Sequence, residues 1–404
     1  MGVVPEDVGI SASRLERVGR LGHWYVDEGK LAGVHTLVAR RGQLIYSDVY
    51  GMADIASGRK LTEDSIYRIY SMTKPITSVA LMMLYEEGAC LLEDPVSRYI
   101  PSFADIQVFT GGDVDGYTTA PPDRPMNIRD LLTHTSGLTA GFIGDHPVEK
   151  LYRKNGIDGR GGAGDLATFV DRLATAPLKF SPGTHWNYGC STDVVGRLVE
   201  ILSGQTLDAF FHERIFEPLG MVDTAFFVPE DKADRFTTTY GRQGRELVAV
   251  DSATHTPFLK QPTFLSGAGG LVSTAHDYQR FLDMLVQGGT LGGIRILGRK
   301  TLEFMTLNHL PGNQDLNELG QSTFSEMAMD GTGFGLGFSV VIDPAKSQVV
   351  SSVGEYAWGG AASTVFWVDP AEQLTAMLLT QFMPSQYYPI RRQLKVAVYQ
   401  ALID

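Results

Sequence analysis

The chain has 404 residues, a formal charge of −12 and 43% hydrophobic residues, enough apolar material for a sizeable core and unlike a disordered or fibrous chain. At roughly 100–200 residues per domain, the length suggests two domains or one large mixed one. The acidic balance argues against a nucleic-acid-binding surface, which needs clustered Lys and Arg.

No apolar run approaches the ~18 residues that span a bilayer. The densest, Val79 to Tyr85, is followed at once by Glu86 and Glu87. The N-terminal MGVVPEDVGIS has neither the basic region nor the apolar core of a secretory signal, and Glu6 stands where a myristoylation signal needs Ser or Thr. Cys90 and Cys190 are too few for a disulfide framework or a zinc site. A cytoplasmic location is the expectation.

The pattern over 11–29 predicts an amphipathic helix, capped by Ser11 or Ser13, with Leu15, Val18, Leu21, Trp24 and Tyr25 at helical spacing. Residues 33–51 carry two β-prone runs around Arg41-Gly42-Gln43, which predicts a hairpin with Gly at the turn. In the middle, helices are expected over Ser71–Glu87, Asp165–Ala176, Thr192–Ser203, Leu207–Phe216 and Ala275–Gln287, with long loops at 102–126 and 154–164. The C-terminal part supplies strands over Gly337–Ile342, Ala362–Val368 and Leu374–Phe382, then a helix after Pro389 with Ile390, Leu394, Val398 and Leu402 at i, i+4 spacing. Strands at both ends with helices between predict an α+β fold whose antiparallel sheet is assembled from both termini. Residues 1–70 and 331–404 would form the sheet lobe and 71–330 a mostly helical lobe, with the active site in the cleft between them.

Ser71-Met72-Thr73-Lys74 is an S-x-x-K followed by the apolar run PITSVALMMLYEEG. Pro75 fits only near a helix start, which places Ser71 at a helix N-terminus and Lys74 one turn on. A serine hydroxyl is a weak nucleophile until a neighbouring base takes its proton, and a helix N-terminus offers N–H groups to a developing oxyanion. On the motif alone the alternative is a helix cap beside a solvated lysine. A second match, Ser57-Gly58-Arg59-Lys60, lies in a polar turn with no helix after it and reads as coincidence.

Three further segments accompany it: LLTHTSGL from Leu131, SPGTHWNYG from Ser181, and GAGGLVSTAHDY from Gly267. With S-M-T-K in this order, the chain resembles the serine β-lactamase and penicillin-binding-protein superfamily, and within it the class C β-lactamase-like group that includes family VIII carboxylesterases. The resemblance runs from about residue 10 to the C-terminus. It implies a β-lactamase/transpeptidase-like fold, Ser71 as the acyl-accepting nucleophile and Lys74 as its proton partner. Tyr188 matches the second-motif tyrosine that shares the base role; a nearby cation favours the charged form of such a group. The LLTHTSGL segment looks structural in this family, so His134 is given no catalytic role.

Two departures from the family pattern bear on substrate. The third motif, usually Lys-Thr-Gly or His-Thr-Gly, is replaced by Trp358-Gly359-Gly360, similar to the variant of family VIII esterases. The backbone N–H groups of Ser71 and Ala361 would then form the oxyanion hole, with small residues allowing a strand to approach the substrate closely. In the second motif, Tyr188-Gly189-Cys190 stands where class C β-lactamases have Tyr-x-Asn. Both departures weaken a lactamase reading and leave acyl transfer intact.

Cys190 is read as a buried structural thiol. No H-E-x-x-H or similar spacing suggests a metal, and no cofactor is expected. The glycine-rich stretch 155–164 follows no strand and lacks G-K-[ST], so it reads as a loop and not a phosphate cradle. The absence of G-x-S-x-G argues against the α/β-hydrolase route to an esterase. Trp186, Phe142, Tyr356 and Trp358 are candidates for the walls of an acyl pocket, or for packing. The expected function is a serine hydrolase that cleaves short-chain carboxyl esters through an acyl-enzyme, with a small-molecule ester as partner, no nucleic acid and no membrane span. The alternatives are a β-lactamase, a D-Ala-D-Ala peptidase, an acyltransferase with an acceptor other than water, and an inactive binding protein on the same scaffold.

Overall fold

The computed structural model describes residues 3–157, 164–320 and 329–404. The elements that frame the site are, in chain order, helix α1 (Ala12–Asp27), strands β1 (Gly33–Arg40), β2 (Gln43–Asp54) and β3 (Arg59–Lys60), and helices α2 (Thr73–Glu86), α3 (Ser191–Ser203) and α4 (Ala275–Val286). Strands β4 (Thr332–Phe334), β5 (Ser339–Val341), β6 (Tyr356–Gly359), β7 (Val365–Asp369) and β8 (Leu374–Leu379) follow, and then helix α5 (Ile390–Tyr399).

The eight strands form one antiparallel sheet in the order β4-β5-β6-β7-β8-β1-β2-β3. The N- and C-terminal segments therefore meet at the β8–β1 pair, as the sequence predicts. The β1–β2 turn is Arg41 and Gly42, both at positive φ (51° and 73°), the backbone twist that suits a two-residue hairpin.

Every residue of β1 is buried, because helices cover both faces of the sheet. Alternation along the strands sorts side chains between two cores. Val34, Val38, Val365, Trp367, Leu374 and Leu378 face a core shared with α1 and α5. Leu37, Phe366, Val368, Met377, Leu379, Tyr356 and Trp358 face the larger core, which continues through α2, α3 and α4. Helix α2 is buried continuously from Thr73 to Leu84, the signature of a helix surrounded on all sides. Helix α4, from the middle of the chain, packs on β1, β7 and β8. Among the described residues, no helix is long and apolar enough to cross a membrane.

Several local expectations are corrected. Ser11 holds the N-cap position of α1 without a side-chain cap bond; the Ala12 N–H goes instead to Glu6 Oε1 at 2.8 Å. Trp24 is largely exposed and carries Lys30 Nζ 3.5 Å above its ring. The long 102–126 loop contains a hairpin, Val108–Gly112 with Tyr117–Ala120. Its turn closes on the Asp113 carboxylate, which accepts from the Asp115 and Gly116 N–H groups. A second hairpin, Thr239–Gln243 with Glu246–Asp251, was not legible in the sequence. The helix expected over Leu207–Phe216 is α-helical to Phe211 and π-helical from His212 to Phe216. The strand expected from Ala362 begins at Val365, because Ser363 adopts φ 68° in a turn. Of the 154–164 loop, residues 158–163 lie outside those described.

Candidate active site

Ser71 sits in a short 3-10 turn, Tyr70–Met72, immediately before α2. The nucleophile candidate therefore precedes the α-helix by one turn of tighter geometry and does not open it. Tyr70 takes φ 43°, a strained conformation for a bulky residue that persists only where surroundings enforce it. The turn is pinned from outside: the Tyr278 hydroxyl donates to the Met72 carbonyl at 2.8 Å, and the Leu271 N–H donates to Thr73 Oγ1 at 3.2 Å. Pro75 falls in the first turn of α2, where its missing N–H costs nothing.

Three side chains from two distant parts of the chain converge here. The Tyr188 hydroxyl donates to Ser71 Oγ at 2.5 Å, and Lys74 Nζ donates to the same oxygen at 3.2 Å. Lys74 Nζ also donates to the Ala268 carbonyl at 2.7 Å and lies 4.5 Å from the centre of the Tyr188 ring. All three are buried, with Ser71 8%, Lys74 4% and Tyr188 2% exposed, so a charge here is screened less than in water.

Behind Lys74 lies Asp193, five residues after Tyr188 and within the first turn of α3. Its carboxylate accepts from Ser266 Oγ at 2.7 Å and from the Ala268 N–H at 3.1 Å. Burial pushes the Asp193 carboxyl up, against the Ser266 hydroxyl, the Lys74 charge and the Ala268 N–H, which hold it down. The Gly267–Gly270 segment is thus held between this carboxylate and the Lys74 ammonium. Gly267 has a reason to be glycine, since a Cβ there would lie 2.8 Å from the Thr192 carbonyl.

Gly189 is explained the same way. A Cβ at this position would stand 2.6 Å from Thr139 Cα, so the Tyr188 segment runs against the backbone of the loop that begins after LLTHTSGL. His134 packs its ring 5.2 Å from that of Tyr188 and 6.1 Å from that of Trp186. Burial, reinforced by the nearby Lys74 charge, lowers its pKa to about 3, so it is a neutral packing partner of the site. Cys190 is buried at the N-cap of α3.

Of the four candidates for pocket wall or packing, three are buried as packing residues. Trp358 and Trp186 are 0% exposed and Tyr356 2%. Trp358 stacks obliquely behind Tyr188 with centroids 5.8 Å apart and meets Phe334 edge-on at 5.3 Å. Tyr356 packs on Phe338. The burial of Tyr356 and Trp358 follows from strand alternation: residues 356 and 358 share the face of β6 that points into the larger core. Phe142 is half exposed. Gly359 ends β6 and Gly360 follows it, where a Cβ would lie 2.4 Å from the Ile69 carbonyl. This close approach sets the Ala361 backbone beside the turn that carries Ser71. Among the described residues, neither the Ser71 nor the Ala361 N–H donates to a protein acceptor.

Asp193, Ser266 and the buried ion pair of Lys179 with Glu149, 3.0 Å apart, were missed by sequence reasoning. Asp193 alone had a signal, its place one turn into the helix that follows Tyr188.

Comparison with known proteins identifies the family. The Beta-lactamase family model matches residues 20–400. Protein Rv1367c of Mycobacterium tuberculosis is 36% identical over 363 residues, covering 89% of this chain and 88% of the relative. Esterase EstB of Burkholderia gladioli is 31% identical over 373 residues, covering 87% and 86%. Among solved structures, EstCE1, described as a hydrolase with promiscuous acyltransferase activity, superposes with a TM-score of 0.81 at 27% identity, covering 96% of this chain and 99% of that one. The chain belongs to the Beta-lactamase family, and within it to the β-lactamase-like esterases of family VIII.

Proposed function

We propose that the chain hydrolyses short-chain carboxyl esters through an acyl-enzyme on Ser71. One observation supports the reading above the others: Ser71 Oγ receives hydrogen bonds from both Tyr188 and Lys74, at 2.5 and 3.2 Å. The Tyr188–Lys74 pair reaches its reactive state by losing one proton. The Ser71 hydroxyl then gives its proton to the Tyr188 oxygen as Oγ attacks the ester carbonyl. The negative charge that develops on the carbonyl oxygen is met by the N–H groups of Ser71 and Ala361. When the tetrahedral species collapses, the bond to the alcohol breaks and Tyr188 returns the proton to the leaving oxygen. Water attacks the acyl carbon with its proton taken by the same pair, and the acid departs with Ser71 restored. The proton transfers use groups already in contact, Ser71 with Tyr188 and Lys74.

A second reading, transfer of the acyl group to an alcohol, is favoured by the acyltransferase side activity named for EstCE1. It shares every step but the last acceptor. Incubation with p-nitrophenyl butyrate in the presence of a primary alcohol, followed by product analysis, separates the two. Butyric acid as the main product supports hydrolysis, and butyrate ester as the main product supports transfer. Stoichiometric labelling by a fluorophosphonate that is lost in Ser71→Ala tests the nucleophile; labelling that survives the substitution overturns the assignment.

A further inference from the structure

The turn that follows β6 is tied by hydrogen bonds on both sides of Ala361. The Gly360 N–H donates to the Thr364 carbonyl at 2.9 Å, and the Ser363 N–H to the Gly360 carbonyl at 3.1 Å. Ser363 Oγ donates to the Phe382 carbonyl at 2.7 Å, and the Phe382 N–H donates to the Ala362 carbonyl at 3.1 Å. From α5, Arg391 Nη2 donates to the Gly360 carbonyl at 2.6 Å and to the Thr364 carbonyl at 2.8 Å. The guanidinium lies flat against the strand end, where a Cβ on Gly359 would stand 2.9 Å from it.

The Gly360 carbonyl and the Ala361 N–H are two ends of one peptide group. A cation hydrogen-bonded to that oxygen draws electron density away from the nitrogen and makes the N–H a stronger donor. The geometry points to Arg391 as a positioning residue for ester cleavage: it fixes the Gly360–Ala361 peptide beside Ser71 and polarises it toward the charge that develops on the substrate carbonyl. The inference rests on the reading of Ala361 as an oxyanion donor. It assigns a role to a side chain on the opposite face of that peptide.

The experiment compares p-nitrophenyl acetate with its thionoester analogue, in which a sulfur replaces the carbonyl oxygen and accepts hydrogen bonds poorly. The full-length wild type, Arg391→Met and Arg391→Lys are measured, with active enzyme counted by fluorophosphonate labelling at completion. Removing a whole oxyanion donor costs about 10²–10³ in rate, and weakening one costs less. Arg391→Met is expected to lower kcat/KM for the oxoester about tenfold and for the thionoester less than threefold, mainly through kcat. Arg391→Lys, which keeps a cation and loses the fork, is expected to fall between, and it carries the test if Arg391→Met does not fold. An equal loss on both substrates, or none on either, overturns the role of Arg391. A wild type that shows no preference for the oxoester beyond that of hydroxide overturns the oxyanion reading itself, a distinguishable failure.

Discussion

Lys179 Nζ lies 3.0 Å from Asn187 Oδ1, the side chain next in sequence to Tyr188. The same ammonium is 3.0 Å from Glu149 Oε1 in an ion pair whose side chains are only 5% and 2% exposed. Asn187 in turn donates to the carbonyls of Leu138 and Tyr188 at 3.1 and 2.9 Å. A buried charge pair therefore holds the backbone from which Tyr188 reaches Ser71.

Breaking such a pair from one side strands the other charge, at a typical cost of 3–5 kcal/mol. Lys179→Met is expected to lose about 3 kcal/mol in urea denaturation and to lower kcat more than it raises KM. Lys179→Met with Glu149→Gln is expected to recover much of the stability and little of the rate, because the grip on Asn187 stays lost. A double variant no more stable than the single one would show that the pair is not what holds this segment.

Ser71→Ala is expected to abolish turnover and fluorophosphonate labelling while leaving the fold intact. Its hydroxyl has two partners, but Lys74 keeps the Ala268 carbonyl when it goes. The stability change is then about 1 kcal/mol, the scale of one hydrogen bond. Retention of a tenth or more of wild-type activity would remove Ser71 from the nucleophile's role.

Lys74→Ala and Tyr188→Phe are each expected to lower kcat by about 10²–10⁴, the size of a general-base contribution. Their losses are not expected to multiply, since the two groups meet on one oxygen and move one proton. Activity is expected to rise toward alkaline pH as the pair sheds that proton. A double variant at the product of the single losses, or a flat profile between pH 6 and 9, would count against a shared base.

Much of this centre was legible because its parts sit close in sequence or carry strong local constraints. Pro75 locates the start of α2, and Arg41-Gly42 locates the hairpin. The Lys179–Glu149 pair spans 30 residues and the Asp193–Ser266 contact 73, and nothing in the local pattern of either partner announces the other. For Trp358 the sequence leaves pocket wall and packing both open. Alternation along β6 says that residues 356 and 358 share a face, but not whether that face meets the cleft or the core. The 108–120 hairpin was hidden because Thr and Gly blur its period-2 pattern. Ser71, Lys74 and Tyr188 are singled out by four ordered motifs, and their contacts on one oxygen are what the structure adds.

Two buried histidines make stability depend on pH. His134 is lowered to about 3 by burial and by Lys74, and His35 to about 4 by burial, against the pull of Glu63. Each is neutral when folded and takes up a proton near pH 6.5 when unfolded. Their stabilising contribution is complete above about pH 6.5 and declines as pH falls toward 4. With one proton per histidine, the slope between pH 6 and 4.5 is about 1.4 kcal/mol per unit each. Chemical denaturation across this range is expected to show it, and His134→Gln is expected to remove the share of the slope that His134 carries. An unchanged slope in His134→Gln would mean that His134 is already protonated in the fold.

Substrate class follows from what stands at the end of β6. The resemblance to β-lactamases places a Lys or His there, a cation for the carboxylate of the lactam. Here the position is Trp358, whose indole is buried behind Tyr188. The guanidinium that does approach this strand, Arg391, is hydrogen-bonded to the Gly360 and Thr364 carbonyls. Cys190, where the lactamases carry an asparagine, is buried at the start of α3. A lactam carboxylate brought to this strand sheds hydration without gaining an ion pair, and an unpaired charge in such a place costs about 3–5 kcal/mol. At about 1.4 kcal/mol per tenfold, that is a discrimination of roughly a hundredfold or more. A neutral ester carries no such penalty. The value of kcat/KM for p-nitrophenyl butyrate is therefore expected to exceed that for nitrocefin by at least this factor on one preparation. Nitrocefin turnover that equals or exceeds the ester would put lactam hydrolysis in place of ester hydrolysis as the activity of this site.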